Sequence, residues 1–136
     1  MTDTRLDTLA RADAGRLKAA AEALLPGLGE IEVIRSRTGL VMLPMRDTVE
    51  GTAFHLGEVL VSEAHVRSGA VEGYGMRRGH DLEAAMAMAL LDLALTTGRG
   101  GAAAAAFCAA EAETLAEADR ETLRRVEATR VDMETF

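Results

Sequence analysis

Arg77-Arg78-Gly79-His80-Asp81 gathers two guanidiniums and an imidazole where an extended run gives way to a helical one. A helix start offers unpaired backbone amides and the positive end of the helix dipole, and both favour an anion. Arginine adds a planar fork that matches phosphate or phosphonate oxygens. The chemistry open to such a cluster is binding, not bond breaking. The same residues also allow a plainer reading. Asp81 then caps its own helix, and the arginines face water or the acidic residues of a partner.

Behind this cluster stand Glu58, Glu63 and Tyr74. Glu63, His65 and Arg67 alternate onto one face of a long extended run, where they could form a polar patch with Tyr74 of the next run. A solvated face of an antiparallel sheet accounts for them equally. His55 and His65 share that face, but about 33 Å of straight strand would separate them, too far to share a metal. Asp92 is a lone acid in an apolar helical run, expected to pair with an arginine or to lie at an edge. Cys108 has no base near it in sequence and reads as a packed thiol.

The motifs of a self-sufficient enzyme are missing. There is no phosphate-cradling glycine loop with its lysine, no nucleophile elbow, no HExxH and no cysteine triad. Gly73-Tyr74-Gly75 followed by Arg77, Arg78 and Gly79 is glycine-rich, but its spacing is not that of a dinucleotide site. The residues assign no catalytic group, no metal and no cofactor bound by this chain alone.

The elements that would hold these residues follow from periodicity. Residues 5–25 carry Leu6, Leu9, Leu17, Ala21 and Leu24 at helical spacing, interrupted at Asp13 and ended by Pro26-Gly27. Glu30–Arg37 reads as a strand, Thr38-Gly39 as a turn and Leu40–Met45 as a second strand, with Pro44 demanding an edge or a stop. Arg46–Gly51 is a polar connection. Ala53–Arg67 is far longer than an ordinary strand of about five or six residues, so Gly57 is expected to mark a bulge. Ser68-Gly69 turns the chain into a fourth strand, Ala70–Arg78. Asp81–Thr97 is a helix apolar well beyond one face, hence covered on two sides, and Gly98 ends it. Ala102–Phe136 reads as helix in one or two pieces, with Asp119 able to cap a second. Its apolar line, Leu115, Ala118, Thr122, Val126, Thr129 and Met133, is thin. That suits either a partner surface or an ordinary exposed helix. The expected fold is α+β: a four-stranded antiparallel meander packed with an N-terminal helix and two or three C-terminal helices.

The bulk numbers narrow the function classes. The 136 residues suit a single domain, 1–136, with a real core. A net charge of −7 without a basic run disfavours nucleic acid, which binds through clustered cations. No apolar stretch reaches the length of a membrane span, and the N-terminus lacks a signal peptide's apolar core. One cysteine excludes an internal disulfide and fits a reducing cytoplasm. Alanine swells the hydrophobic share to 49%, which reads either as apolar surface completed by another chain or as simple alanine bias.

Phe54-His55-Leu56-Gly57-Glu58-Val59-Leu60-Val61-Ser62-Glu63-Ala64, then Gly73-Tyr74, then Arg78-Gly79-His80-Asp81-Leu82-Glu83-Ala84-Ala85 resemble the PhnG subunit of bacterial carbon–phosphorus lyase. Arg5 to Ala12 resembles that family's N-terminal helix, and Ala128-Thr129-Arg130-Val131-Asp132 its C-terminal segment. Met133-Glu134-Thr135-Phe136 departs from the aromatic ending of the family. The resemblance implies a cytoplasmic subunit of the phosphonate-degrading core complex, with the other core subunits as partners or a second copy as a homodimer. It implies that MgATP is a substrate of the complex, which replaces adenine with an alkylphosphonate. It assigns no catalytic residue to this subunit. Arg77, Arg78 and His80 are the anion-facing or partner-facing candidates, with Glu58, Glu63 and Tyr74 behind them. A stand-alone phosphate- or phosphonate-binding module is the alternative, and a self-contained transferase a further one.

Overall fold

A computed structural model describes the backbone of residues 2–46 and 48–134; the side chains at 2–3, 45, 54–56 and 131–134 lie outside the description. Expectations resting on Phe54, His55, Leu56, Met133 and the segment 131–136 therefore fall outside the described residues. The chain runs α1 (Thr2–Arg11), α2 (Ala14–Leu24), a 3-10 turn (Leu25–Gly27), β1 (Glu32–Arg46), β2 (Ala53–Ser68), β3 (Val71–Arg78), α3 (Leu82–Thr97) and α4 (Gly101–Glu134). The class is α+β, as expected.

The sheet has three antiparallel strands in the order β1-β2-β3, not four. The two strands expected between residues 30 and 45 are one, because Thr38 and Gly39 pair with Ser62 and Val61 instead of turning. β1 and β2 span 15 and 16 residues, so β2 is a template long enough to keep β1 extended through its glycine. The reversal comes later, where Gly51 takes a φ of 70°. Pro44 lies on edge strand β1, where a missing N–H is tolerated. The bulge expected near Gly57 is present: Leu43 faces Gly57, and Pro44 already faces His55.

The single N-terminal helix is also corrected, to two. Asp13, which interrupts the apolar stripe, is the N-cap of α2, and its carboxylate accepts from the Arg16 amide at 2.9 Å. At the other end, residues 101–134 form one helix, about 51 Å long at ~1.5 Å per residue. Asp119 caps nothing; it sits within that helix and meets Arg11 of α1 at 3.2 Å.

α3 is the middle layer. Asp81 caps its start, accepting from the Ala84 amide at 3.1 Å, and Gly98 ends it in the left-handed region at φ 77°. On one side Ala85, Ala89 and Leu93 join Ala64 and Val66 of β2 in a buried cluster. On the other, Met88, Leu91 and Ala94 pack with Leu9, Leu17 and Leu28, completing a second cluster with α1, α2 and the start of α4. Each buried leucine contributes about 1.5–3 kcal/mol. The two-sided burial inferred from the apolar pattern is what the structure shows.

Gly73 and Gly75 let β3 approach α3 backbone to backbone. A Cβ at either would collide with a helix carbonyl, that of Ala89 or of Ala85. The glycine-rich stretch is thus a packing device. Among the described residues, the opposite face of the sheet carries no helix.

Candidate functional site

The structure separates the six residues singled out in the sequence. Arg77 alternates onto the helix-covered face of β3, and its guanidinium donates to the carbonyls of Leu9 and Ala12 at 2.6 and 2.7 Å. These acceptors lie at and just beyond the C-terminal end of α1, where carbonyls lack partners within the helix. Arg77 therefore fastens α1 to the sheet. Arg78 points to the other face and His80 lies in the connection to α3. Both are exposed, and neither side chain makes a hydrogen bond or ion pair among the described residues.

The start of α3 is occupied from within. The Asp81 carboxylate engages its first-turn amide, and Lys18 of α2 reaches the same carboxylate at 2.8 Å. The Lys18 contact first, then the Ala84 amide, hold the Asp81 carboxyl below its usual range.

Glu63 and Tyr74 are brought together on the helix-free face. The Tyr74 hydroxyl donates to Glu63 Oε2 at 2.6 Å, and Arg37 and Arg35 reach Oε1 at 2.9 and 3.5 Å. Register explains the grouping, since Arg37 pairs with Glu63 across β1–β2, and His65 with Tyr74 across β2–β3. The Tyr74 hydroxyl, ahead of Arg37, lowers the Glu63 pKa against the opposing effect of burial. Burial, then Glu63 itself, pushes the Tyr74 phenol up to about 12. His65 stacks edge-on against Tyr74, 6.1 Å between ring centres, and its Nε2 lies 3.5 Å from Glu72. The polar patch exists, but each of its acids is already paired.

Asp92 pairs with an arginine, the first of its two alternatives. It accepts from Arg5 Nη2 at 2.8 Å and from the Tyr74 amide at 3.0 Å, so it pairs with an arginine and seals a strand edge. Cys108 is part-buried, and burial pushes its thiol pKa up, away from a nucleophile.

Sequence reasoning missed an arm. β3 ends opposite Val61, so the outer halves of β1 and β2 continue alone as a two-stranded ribbon. Leu40, Val41, Met42, Leu43 and Leu60 on this ribbon are each 40% or more exposed. Glu58 lies on it, exposed and with no partner among the described residues. At its root a depression of about 320 Å³ opens over Gly39, lined by Arg37, Val41, Val61, Glu63 and Met76. The signal was the unbroken run Leu40–Leu43, apolar on both faces where a half-buried strand alternates. A second projection is the far half of α4, exposed from Glu117 to Arg130, with Leu123 at 67% and Val126 at 58%. No described helix is long and apolar enough to cross a membrane.

The sequence matches, over residues 3–136, the family described as phosphonate metabolism protein PhnG. It is 35% identical over 130 residues to the alpha-D-ribose 1-methylphosphonate 5-triphosphate synthase subunit PhnG of Rhizobium meliloti (strain 1021), covering 94% of this chain and 83% of that protein. It is also 35% identical over 106 residues to the putative C-P lyase subunit protein HtxH of Stutzerimonas stutzeri. That match takes in 68% of this chain but spans only 28% of the relative's length.

Proposed function

The chain belongs to the PhnG family, and from that premise we propose that it is an accessory subunit of a carbon–phosphorus lyase core complex. In this reading it performs no bond chemistry itself. It supports the transfer of an alkylphosphonate onto the ribose of MgATP with release of adenine. The observation that carries the reading is its similarity, along 94% of its length, to a protein named as a subunit of the ribose methylphosphonate triphosphate synthase.

The geometry supports a supporting role. The carboxylates buried within the chain are closed by arginines: Asp92 by Arg5, Glu111 by Arg16 and Glu63 by Arg37. What is left open is surface suited to protein contact, namely the apolar arm and the free half of α4. Arg78, His80 and Glu58 face the partner, whereas Arg77, Glu63 and Tyr74 shape the surface behind them. HtxH supports the same reading from another direction, since there a PhnG-like segment forms part of a much longer polypeptide.

Co-expression with the remaining core subunits tests this, followed by an adenine-release assay with MgATP and methylphosphonate. The expected result is a stable complex in which adenine appears only when this chain is present. A complex that forms and turns over without it would reject the reading. Calorimetry of the isolated chain with phosphate and methylphosphonate separates it from a stand-alone binding module, which alone predicts heat.

A further inference from the structure

We propose that the bare edge of β2 in the arm is completed by an extended strand from another core subunit, lying in line with β3 and carrying an acidic residue to Arg78. The inference rests on the accessory-subunit reading and adds to it the surface and the kind of segment that fills it.

The backbone directions are set by one hydrogen bond. The Gly79 amide donates to the Leu60 carbonyl at 2.8 Å, so Leu60 turns its polar backbone groups toward the β3 side. In a strand, alternate residues turn the same way, so the N–H and C=O of Glu58 also face that side. β3 has ended by then, and among the described residues no strand pairs with this side of β2 from Ala53 to Val59. The bulge at Leu56 bends this edge, so an added strand pairs along the regular stretch 57–59 next to the end of β3.

The other edges of the sheet are protected. On the free edge of β3, the Tyr74 amide is sealed by Asp92. The free edge of β1 carries Pro44 and, at Ile34, an extra residue opposite Val66 and His65, both features that discourage further pairing. The arm's edge of β2 has an extra residue of its own at Leu56, but from Gly57 to Leu60 it runs regularly, with neither proline nor lysine.

Side chains define the occupant. A strand added beside β2 presents alternate residues to both faces of the ribbon. There it meets Leu60 on the face shared with α3 and Val59 on the opposite face, so apolar residues suit both of its sides. Where the occupant abuts the end of β3 it meets Arg78, exposed and unpaired among the described residues in a chain of net charge −7. A carboxylate there completes a charge-assisted contact. Addition of a strand at a sheet edge is a general mode of peptide recognition, with affinity from main-chain bonds and selectivity from alternate side chains.

Glu58→Pro isolates the edge. The substitution removes an N–H that faces the open side and leaves the β1 pairing through the neighbouring residues intact. The full-length variant is expected to fold, with unchanged circular dichroism, and to capture the co-expressed core subunits about tenfold less well, as fits the loss of one or two main-chain bonds. Glu58→Ala, which removes the same side chain but keeps the N–H, is expected to capture them better than Glu58→Pro does. Hydrogen exchange on the wild-type complex supplies a readout independent of any variant, with slowed exchange expected at residues 57–60. Normal capture by Glu58→Pro, or unchanged exchange there in a complex that does form, overturns the strand and leaves the accessory role standing. If the wild-type chain captures no subunit, the role and the strand fall together. Edge-to-edge dimers of the isolated chain, seen by size exclusion and abolished by Glu58→Pro, would assign the edge to a second copy instead.

Discussion

The backbone amide of Tyr74 donates to the carboxylate of Asp92 at 3.0 Å, so a side chain from the middle helix closes the edge of a strand. Arg5 of α1 grips the same carboxylate through Nε and Nη2, at 3.1 and 2.8 Å. One acid, with its side chain 8% exposed, thus joins three elements. Asp92→Ala leaves a buried amide and a guanidinium without their acceptor and is expected to cost about 3 kcal/mol. Urea denaturation measures it. A loss below about 1 kcal/mol would mean that water replaces the carboxylate.

Gly75→Ala sets a methyl against the Ala85 carbonyl, in backbone that cannot swing aside. The expected loss is about 1–3 kcal/mol, as for other overpacked sites, with lowered thermal stability or insoluble expression. Gly39→Ala is the counterpart. Nothing lies within 4 Å of its added Cβ, and its φ is not in the left-handed region. It is expected to be neutral or to stabilise by up to about 1 kcal/mol. Equal melting temperatures for the two variants would contradict the close approach of β3 to α3.

The Glu63–Tyr74 pair makes stability depend on pH at both extremes. The folded-state pKa of Glu63 is depressed, chiefly by the Tyr74 hydroxyl and then by Arg37. Its contribution is therefore full above the unfolded carboxyl value, about 4.3, and is lost as pH falls through the lower folded value. The Tyr74 phenol is raised to about 12, so its contribution is full below about pH 10 and is lost between there and about 12. Tyr74→Phe should flatten the alkaline loss and move the acid loss to higher pH. Denaturation midpoints across pH test both. An unchanged alkaline limb would show that the phenol does not hold the carboxylate.

α4 beyond Glu117 is supported by ion pairs along its own surface, Arg120 to Glu117 and Arg124 to Glu121. Exposed pairs of this kind are worth little each. A chain ended after Thr122 is expected to melt within about 2 °C of the full chain. Capture of the other core subunits is expected to weaken. A drop of more than about 5 °C would place this segment in the fold instead of at an interface.

How much of this was written in the sequence differs from element to element. α3 was legible because every cue agreed: Asp81 at its cap, an apolar pattern wider than one face, Gly98 beyond its end. Asp92 was legible as an anomaly in that pattern. The Thr38-Gly39 turn failed because a glycine signals freedom, not direction. Its φ was decided by a partner strand more than twenty residues away, which no local pattern contains. Asp13 was seen as an interruption when it was a boundary, since a cap and a flaw look alike in an apolar stripe. The candidate cluster dissolved for a related reason. Neighbours along an extended chain point to opposite faces, so Arg77 went inward to α1 while Arg78 went out.

Each described strand pair is joined by a short reversal, one through residues 48–52 and one at Gly69-Ala70. The sheet can therefore zip from its turns without closing a long loop, and α3 follows directly in the chain. The N-terminal helices have no such advantage. Arg5 waits for an acid 87 residues later, and Arg16 for one 95 residues later. On a ribosome the first part of this chain to emerge is consequently the last to dock. Its two helices stay without their anchors until α3 and α4 have been made. A slow final step in refolding, moved by Arg5→Lys or Arg16→Lys but untouched by changes in the arm, is the kinetic mark that this order leaves.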